Sequence, residues 1–327
     1  MDSIAAERRI RAYVRETPLR QSRVLSESTR TRVLLKLENL QETGSFKLRG
    51  AANKLLLLPK EQAAHGVVAA STGNHALAVA TMGRKLRTPV EIFVSETIDP
   101  LKRARIESLQ ARVNTVQGDA LCAEVTARRA ANDSGRRYVS PYNDADVLAG
   151  QGSVAVEMLR QLAEMAAGPL DAVFVAVGGG GLIGGIGTHL KRVSPGTEVV
   201  GCWPENSPAL YASMQAGAIV DVPEKPTFST STAGGVEPGA ITLEICRRVV
   251  DRSVLVSEDA LLDAARRVLR EDDELIEGAA GVAVAAFFES ADRYAGKTVA
   301  IVVCGGNVDP GFEAKLRATE PQAALNP

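Results

Sequence analysis

The chain has 327 residues, enough for two domains at roughly 150 residues each. Hydrophobic residues make up 45% and charged residues 24%, with 29 glycines, which excludes a disordered or fibrous chain. Lys and Arg total 38 against 39 Asp and Glu, a net charge of -1, so the charge balance points away from nucleic acid and anionic membranes and toward a small-molecule partner.

In chain order, the amino terminus (Met1-Asp2-Ser3-Ile4, then Glu7, Arg8 and Arg9) lacks the apolar core of a secretory signal. No stretch reaches the roughly 18 apolar residues of a membrane span, so a cytoplasmic protein is expected. Short β-branched runs read as buried strands at 33–37, 67–70, 90–94, 172–177, 198–202 and 298–303. Between them lie helical candidates at 101–109, 120–131, 151–166 and 259–269, the last preceded by the capping residue Ser257. That alternation predicts an α/β protein with mostly parallel sheets. Residues 204–240, rich in Pro, Gly, Ser and Thr, read as loop with little regular structure. The four cysteines show no CxxC pair and only three histidines exist, so neither a disulfide framework nor a zinc site is expected. Cys122, Cys202 and Cys246 read as buried reduced thiols.

The strongest motif is Gly178-Gly179-Gly180-Gly181-Leu182, placed directly after an apolar strand and opening a helix. Bare backbone amides at the positive end of a helix form an anion cradle, most often for phosphate. Gly179, Gly181 and Gly184 also match a dinucleotide fingerprint, but the acid expected at the end of the next strand is displaced to Glu205, beyond Pro204, which disfavours nicotinamide binding. Lys47, bracketed by Gly44 and Gly50 just past a strand, reads either as a solvated charge at a helix start or as a Schiff-base lysine. Ser71-Thr72-Gly73-Asn74-His75, again at a strand end, offers amides for a carboxylate or an ordinary helix cap. Together these fit a phosphate-bearing aldehyde cofactor.

Six segments in order carry a resemblance: Ser45-Phe46-Lys47-Leu48-Arg49-Gly50-Ala51, Ala70-Ser71-Thr72-Gly73-Asn74-His75-Ala76, Ala149-Gly150-Gln151-Gly152-Ser153, Gly178-Gly179-Gly180-Gly181-Leu182, Ala233-Gly234-Gly235-Val236-Glu237 and Cys304-Gly305-Gly306-Asn307. The chain, from about Thr17 to Asp309, resembles the pyridoxal-phosphate-dependent serine/threonine dehydratase family, of the tryptophan synthase β-subunit fold (fold type II). The resemblance implies two parallel-sheet, three-layer domains, a large cofactor domain of residues 1–44 plus 151–327 and a smaller inserted domain of residues 45–150. It implies pyridoxal 5'-phosphate held on Lys47, which serves as base at Cα once freed, with the phosphate on Gly178, Gly179, Gly180, Gly181 and Leu182. Asn74 is expected at the ring O3', Phe46 against the ring, Gly235 and Glu277 near the cofactor, and Cys304 facing the pyridine nitrogen. Ser71, Thr72, Gly73 and His75 are expected to bind the substrate carboxylate. For Cys304 a buried apolar residue, and for Glu277 a buried helix-start carboxylate, stay open as readings.

The implied reaction is conversion of L-threonine or L-serine to a 2-keto acid and ammonia, by a homodimer or homotetramer acting on a small amino acid, without nucleic acid or membrane. A thiol facing the ring nitrogen makes a weaker electron sink than a carboxylate would, which favours elimination over exchange at Cα. The chain also departs from the family. Trp203 and Ala209 stand where relatives carry divalent-cation ligands, so no metal is expected, and Ser229-Thr230-Ser231 replaces an Ala-Asp-Gly turn. Thr72 stands where serine racemases carry a catalytic serine, which leaves racemization open beside dehydration of hydroxyaspartate or phenylserine. A nicotinamide oxidoreductase, or a sensor that binds without turnover, are the readings from other classes.

Overall fold

The computed structural model describes residues 1–118 and 120–318. Its elements run α1 (Ser3–Ile10), β1 (Leu19–Gln21), α2 (Arg23–Thr29), β2 (Arg32–Leu37), α3 (Lys47–Leu56), α4 (Lys60–His65), β3 (Val67–Ala70) and α5 (Asn74–Leu86). Next come β4 (Val90–Ser95), α6 (Pro100–Glu107), β5 (Arg112–Val116), α7 (Ala120–Ser134), β6 (Arg137–Tyr138), α8 (Ala145–Glu164), β7 (Ala172–Ala176) and α9 (Gly181–Val193). The remainder is β8 (Glu198–Pro204), α10 (Ala209–Ala216), α11 (Ile241–Val249), β9 (Arg252–Val256), α12 (Glu258–Asp272), α13 (Gly278–Phe288), β10 (Thr298–Val303) and α14 (Pro310–Arg317).

The strands form two sheets. One has the order β1-β2-β10-β7-β8-β9, parallel except for the edge strand β1, and the other has the order β5-β4-β3-β6, parallel throughout. Central strands of a parallel sheet are covered on both faces and therefore read as unbroken apolar runs. β7 and β10 obey this, with every residue buried. The larger core holds Phe174 edge-on to Phe287 at 5.6 Å, while a second core centres on β3, β4, α3 and α5. Ile10 and Val14, from the amino-terminal segment, belong to that second core.

Two readings of the sequence need correction. The Pro- and Gly-rich segment after residue 204 contains α10, because Pro208 and Gly217 flank it while residues 209–216 hold neither proline nor glycine. Cys122 is exposed on the first turn of α7, unlike the buried Cys202, Cys246 and Cys304. Helix α8 also begins earlier than its pattern suggests, capped by Asp144, whose carboxylate accepts from Asp146 N at 2.8 Å and Val147 N at 3.2 Å. Its glycines serve close approach: a Cβ on Gly150 would stand 2.5 Å from the Arg49 carbonyl oxygen.

Beneath the start of α3 lies a buried charge cluster. The Arg49 guanidinium donates to Glu38 at 2.7 and 2.8 Å and to Glu157 at 2.8 and 2.7 Å, while Lys36 Nζ reaches Glu157 at 2.9 Å. Thr17, Ser153 and Gln161 complete the polar shell. These bonds bind α3 to the end of β2 and the middle of α8, which fixes the helix that starts at Lys47.

Candidate active site

Four loops converge at the carboxyl ends of β2, β3, β7 and β10, the edge where open parallel sheets bind ligands. Ser45 forms an isolated antiparallel bridge with Gly305, and Phe46 N donates to the Cys304 carbonyl at 3.1 Å, so the Lys47 turn is sewn to the end of β10. Gly44 takes φ +76°, and any Cβ there would meet Asn307 Oδ1 at 2.7 Å, so glycine is required on both counts.

Lys47 opens α3 half-buried, with Nζ donating to the Pro141 carbonyl at 3.1 Å and lying 5.1 Å from the Phe46 ring centroid. It is therefore not a solvated helix-start charge. Burial pushes its pKa down to about 8, against the opposing pull of Cys304 and Glu277. Burial also raises the Cys304 thiol well above its usual value, so that thiol is neutral, and it raises Glu277 against hydrogen bonds from Asn74 and Ser231.

Asn74 begins α5 behind Gly73, a start without a side-chain cap. Its Nδ2 donates to Glu277 Oε1 at 3.1 Å and Oε2 at 3.0 Å, and its Oδ1 accepts from Asn307 Nδ2 at 2.6 Å. Open space surrounds the Cα of Gly73, and Ser71 Oγ accepts from Gly73 N at 3.1 Å. Ser71 and Thr72 are half-buried beside it. The imidazole of His75 points elsewhere: it is buried, with Nε2 donating to the Val139 carbonyl at 2.8 Å. Burial, and then the nearby Lys47, push its pKa down to about 3, so it is neutral and only its backbone N–H faces the turn.

The glycine run forms a bare floor. A Cβ on Gly178 would stand 2.9 Å from Thr232 Cα, on Gly179 2.4 Å from the Tyr142 ring, and on Gly181 3.0 Å from Tyr142 Cα. Gly180 caps α9 with φ +85° and no side-chain cap, which leaves the first amides of the helix for a ligand. Leu182 is buried in the first turn. Pro141 and Tyr142 therefore join the Lys47 amine to this floor, one through its carbonyl and the other through its ring.

The cluster contains groups that the sequence reading did not single out as site residues: Pro141, Tyr142, Ser231 and the side chain of Asn307. Asn307 had a signal, since it ends the Cys304-Gly305-Gly306-Asn307 motif, whereas Tyr142 had none. Gly235 lies exposed with open space around it, outside the packed cluster. The arrangement fits an aldehyde-phosphate group. It offers an amine that loses its proton readily, a helix start bare of side chains, an amide donor at Asn74, a neutral thiol, and the buried Ser45 Oγ without a hydrogen-bond partner among the described residues.

Comparison with known proteins agrees. A catabolic L-threonine dehydratase of Staphylococcus aureus is 35% identical, over 93% of this chain and 87% of its own length. An L-threonine ammonia-lyase of Thermotoga maritima is 39% identical, over 93% of this chain and 74% of its own length. Among solved structures, a threonine deaminase from T.th. superposes with a TM-score of 0.87 at 36% identity, covering 94% of this chain and 98% of its own. Maize serine racemase superposes with a TM-score of 0.88 at 27% identity, covering 96% and 94%. Residues 10–305 match the family described as pyridoxal-phosphate dependent enzyme, and the chain belongs to that family.

Proposed function

We propose that this protein converts a small β-hydroxy amino acid, L-threonine or L-serine, to a 2-keto acid and ammonia. The observation that carries the reading is Lys47, whose amine has a pKa of about 8, beside the glycine-lined start of α9 and the uncapped start of α5. Pyridoxal phosphate, when bound, supplies the electron sink that acidifies the Cα–H. Gly178, Gly179, Gly180, Gly181 and Leu182 would hold the phosphate, and the turn of Ser71, Thr72, Gly73 and His75 would hold the substrate carboxylate. Phe46 and Asn74 would help hold the ring. Lys47 removes the proton at Cα, its pKa of about 8 leaving roughly a tenth of the amine free at pH 7, where an ordinary lysine has less than about a thousandth. The neutral Cys304 thiol offers the ring nitrogen no anion, which favours departure of the β-hydroxyl over return of the proton. Residues 45–150 move as the smaller domain that closes on substrate, in a cytoplasmic homodimer or homotetramer.

The test is the visible spectrum of the purified protein, followed by 2-keto acid release from L-threonine, L-serine and D-serine. A yellow protein that yields keto acid from either L-substrate supports the reading. A yellow protein that yields none, or a protein that cannot take up pyridoxal phosphate, overturns it.

Two further outcomes are expected. Because Lys47 is depressed to about 8, the rate at which cofactor-free protein takes up pyridoxal phosphate rises with pH and levels off above about 8, well below the about 10.4 of a free lysine. A rate still climbing steeply near pH 10 contradicts this. Gly179→Ala sets a Cβ 2.4 Å from the Tyr142 ring and displaces it, so cofactor affinity falls by roughly 10-fold or more in equilibrium dialysis. Adding Tyr142→Ala restores room and recovers part of the loss.

A further inference from the structure

A directional chain of hydrogen bonds crosses from the smaller sheet's layer to the site. On α6, Arg105 Nη1 donates to Asn307 Oδ1 at 3.0 Å. Asn307 Nδ2 donates onward to the Thr43 carbonyl at 2.8 Å and to Asn74 Oδ1 at 2.6 Å. Asn74 Nδ2 in turn donates to the Glu277 carboxylate at 3.1 and 3.0 Å. Each amide is pinned at both ends. Reversing Asn307 would set its NH2 against a guanidinium, which has no acceptor, and its oxygen against the oxygens of Thr43 and Asn74. Reversing Asn74 would set its oxygen against both Glu277 oxygens.

Arg105 sits at the head of this chain with its charge uncommitted. Its helix neighbour Arg103 is paired with Glu107, whereas among the described residues no carboxylate lies within ion-pair reach of Arg105. A hydrogen bond from a charged donor is stronger than a neutral one and polarises the acceptor's own N–H groups. The Arg105 bond therefore sharpens the donation of Asn307 to Asn74, and that of Asn74 to whatever its amide faces.

We propose that Arg105 is a positioning residue for Asn74, acting through Asn307 to orient and polarise the amide that helps hold the cofactor ring. This rests on the assignment of Asn74 given under the proposed function. Arg105 is exposed, so its replacement leaves the cores intact.

The test compares the parent protein with Arg105→Met, Arg105→Lys, Asn307→Asp and the control Arg103→Met, all without substrate. The readouts are the dissociation constant for pyridoxal phosphate, the ratio of the two absorption bands of the bound cofactor, and the thermal midpoint. Arg105→Met weakens cofactor binding by about 3- to 10-fold and changes the band ratio at an unchanged thermal midpoint. Arg105→Lys keeps a charged donor and restores most of both, and Arg103→Met changes neither. Asn307→Asp, which cannot donate to Asn74, has a larger effect, to which Arg105→Met adds little. An Arg105→Met protein with the parent's affinity and band ratio overturns the relay, as does an Arg105→Lys protein as impaired as Arg105→Met. A parent protein that binds no pyridoxal phosphate overturns the relay together with the reading on which it rests.

Discussion

Replacing Lys47 with alanine abolishes the yellow colour of the protein loaded with pyridoxal phosphate and lowers kcat by roughly 1,000-fold or more. Two functions are lost at once, the covalent hold on the cofactor and the base at Cα. Among the described residues the one hydrogen bond of the Lys47 amine is to the Pro141 carbonyl, and the buried ion-pair cluster of Arg49, Glu38, Glu157 and Lys36 does not include it, so the variant remains folded. Circular dichroism checks that point, and keto acid release measures the loss. Retention of full activity by Lys47→Ala would remove the mechanism. Added alkylamines rescue part of the proton transfer but not the covalent link, so a rescued rate with no yellow colour before substrate separates the two roles.

Arg49→Met has the second largest expected effect, on stability and not on chemistry. The guanidinium is fully buried and serves two carboxylates, Glu38 and Glu157, so its removal leaves anions in the core with, among the described residues, only Lys36 and Arg11 to answer them. Breaking a buried pair in this way costs about 3–5 kcal/mol. Urea unfolding measures it, and a loss below about 1 kcal/mol contradicts the account. The cluster also sets an acid limit. Burial acts to raise the Glu157 carboxyl, but Arg49 and Lys36 outweigh it and hold the pKa far below the usual carboxylate range. Burial likewise lowers the Lys36 ammonium, against the pull of Glu157, yet with the permanently charged Arg49 alongside, Glu157 stays ionised. A carboxyl depressed on folding stabilises fully above its unfolded value of about 4.3, and the contribution drains away as pH falls below that. Unfolding midpoints should drop steeply below about pH 4, and more gently in a Glu157→Gln protein, which is less stable at neutral pH.

Much of this architecture is legible in the sequence alone. Strands β3, β7 and β10 announce themselves because burial on both faces demands unbroken apolar runs, and β2, β4 and β8 stay legible although Lys36, Glu91 and Gly201 interrupt theirs. The edge strands are not legible for the same reason reversed. β5, Arg112-Val113-Asn114-Thr115-Val116, is half open to solvent and mixes charge with apolar residues, and β6 has only two residues. Within the site, Lys47, Asn74, Glu277, Cys304 and the glycine run can be named because each stands in a short local motif. Tyr142, Ser231 and the Pro141 carbonyl cannot, because their part is set by what the fold brings beside them. At His75 the motif gives the position in the turn, while the bond of its imidazole to the Val139 carbonyl is set by what the fold brings beside it. The charge cluster around Arg49 joins residues from three distant elements, and no spacing along the chain reveals it.

The short bridge between Ser45 and Gly305 also bears on how the molecule is made. Asn307 and Thr43, which meet beside that bridge, are 264 positions apart, and β10 must insert between β2 and β7 before they can do so. Contacts of such sequence separation close late in folding. During synthesis the Lys47 turn therefore waits, unsupported, until β10 has left the ribosome, and a nascent chain stopped before residue 298 carries every motif from Lys47 to Glu277 yet lacks the strand that joins them. Until then the Lys47 amine lacks the burial that lowers its pKa to about 8, so its depressed pKa belongs to the finished fold and not to the local motif.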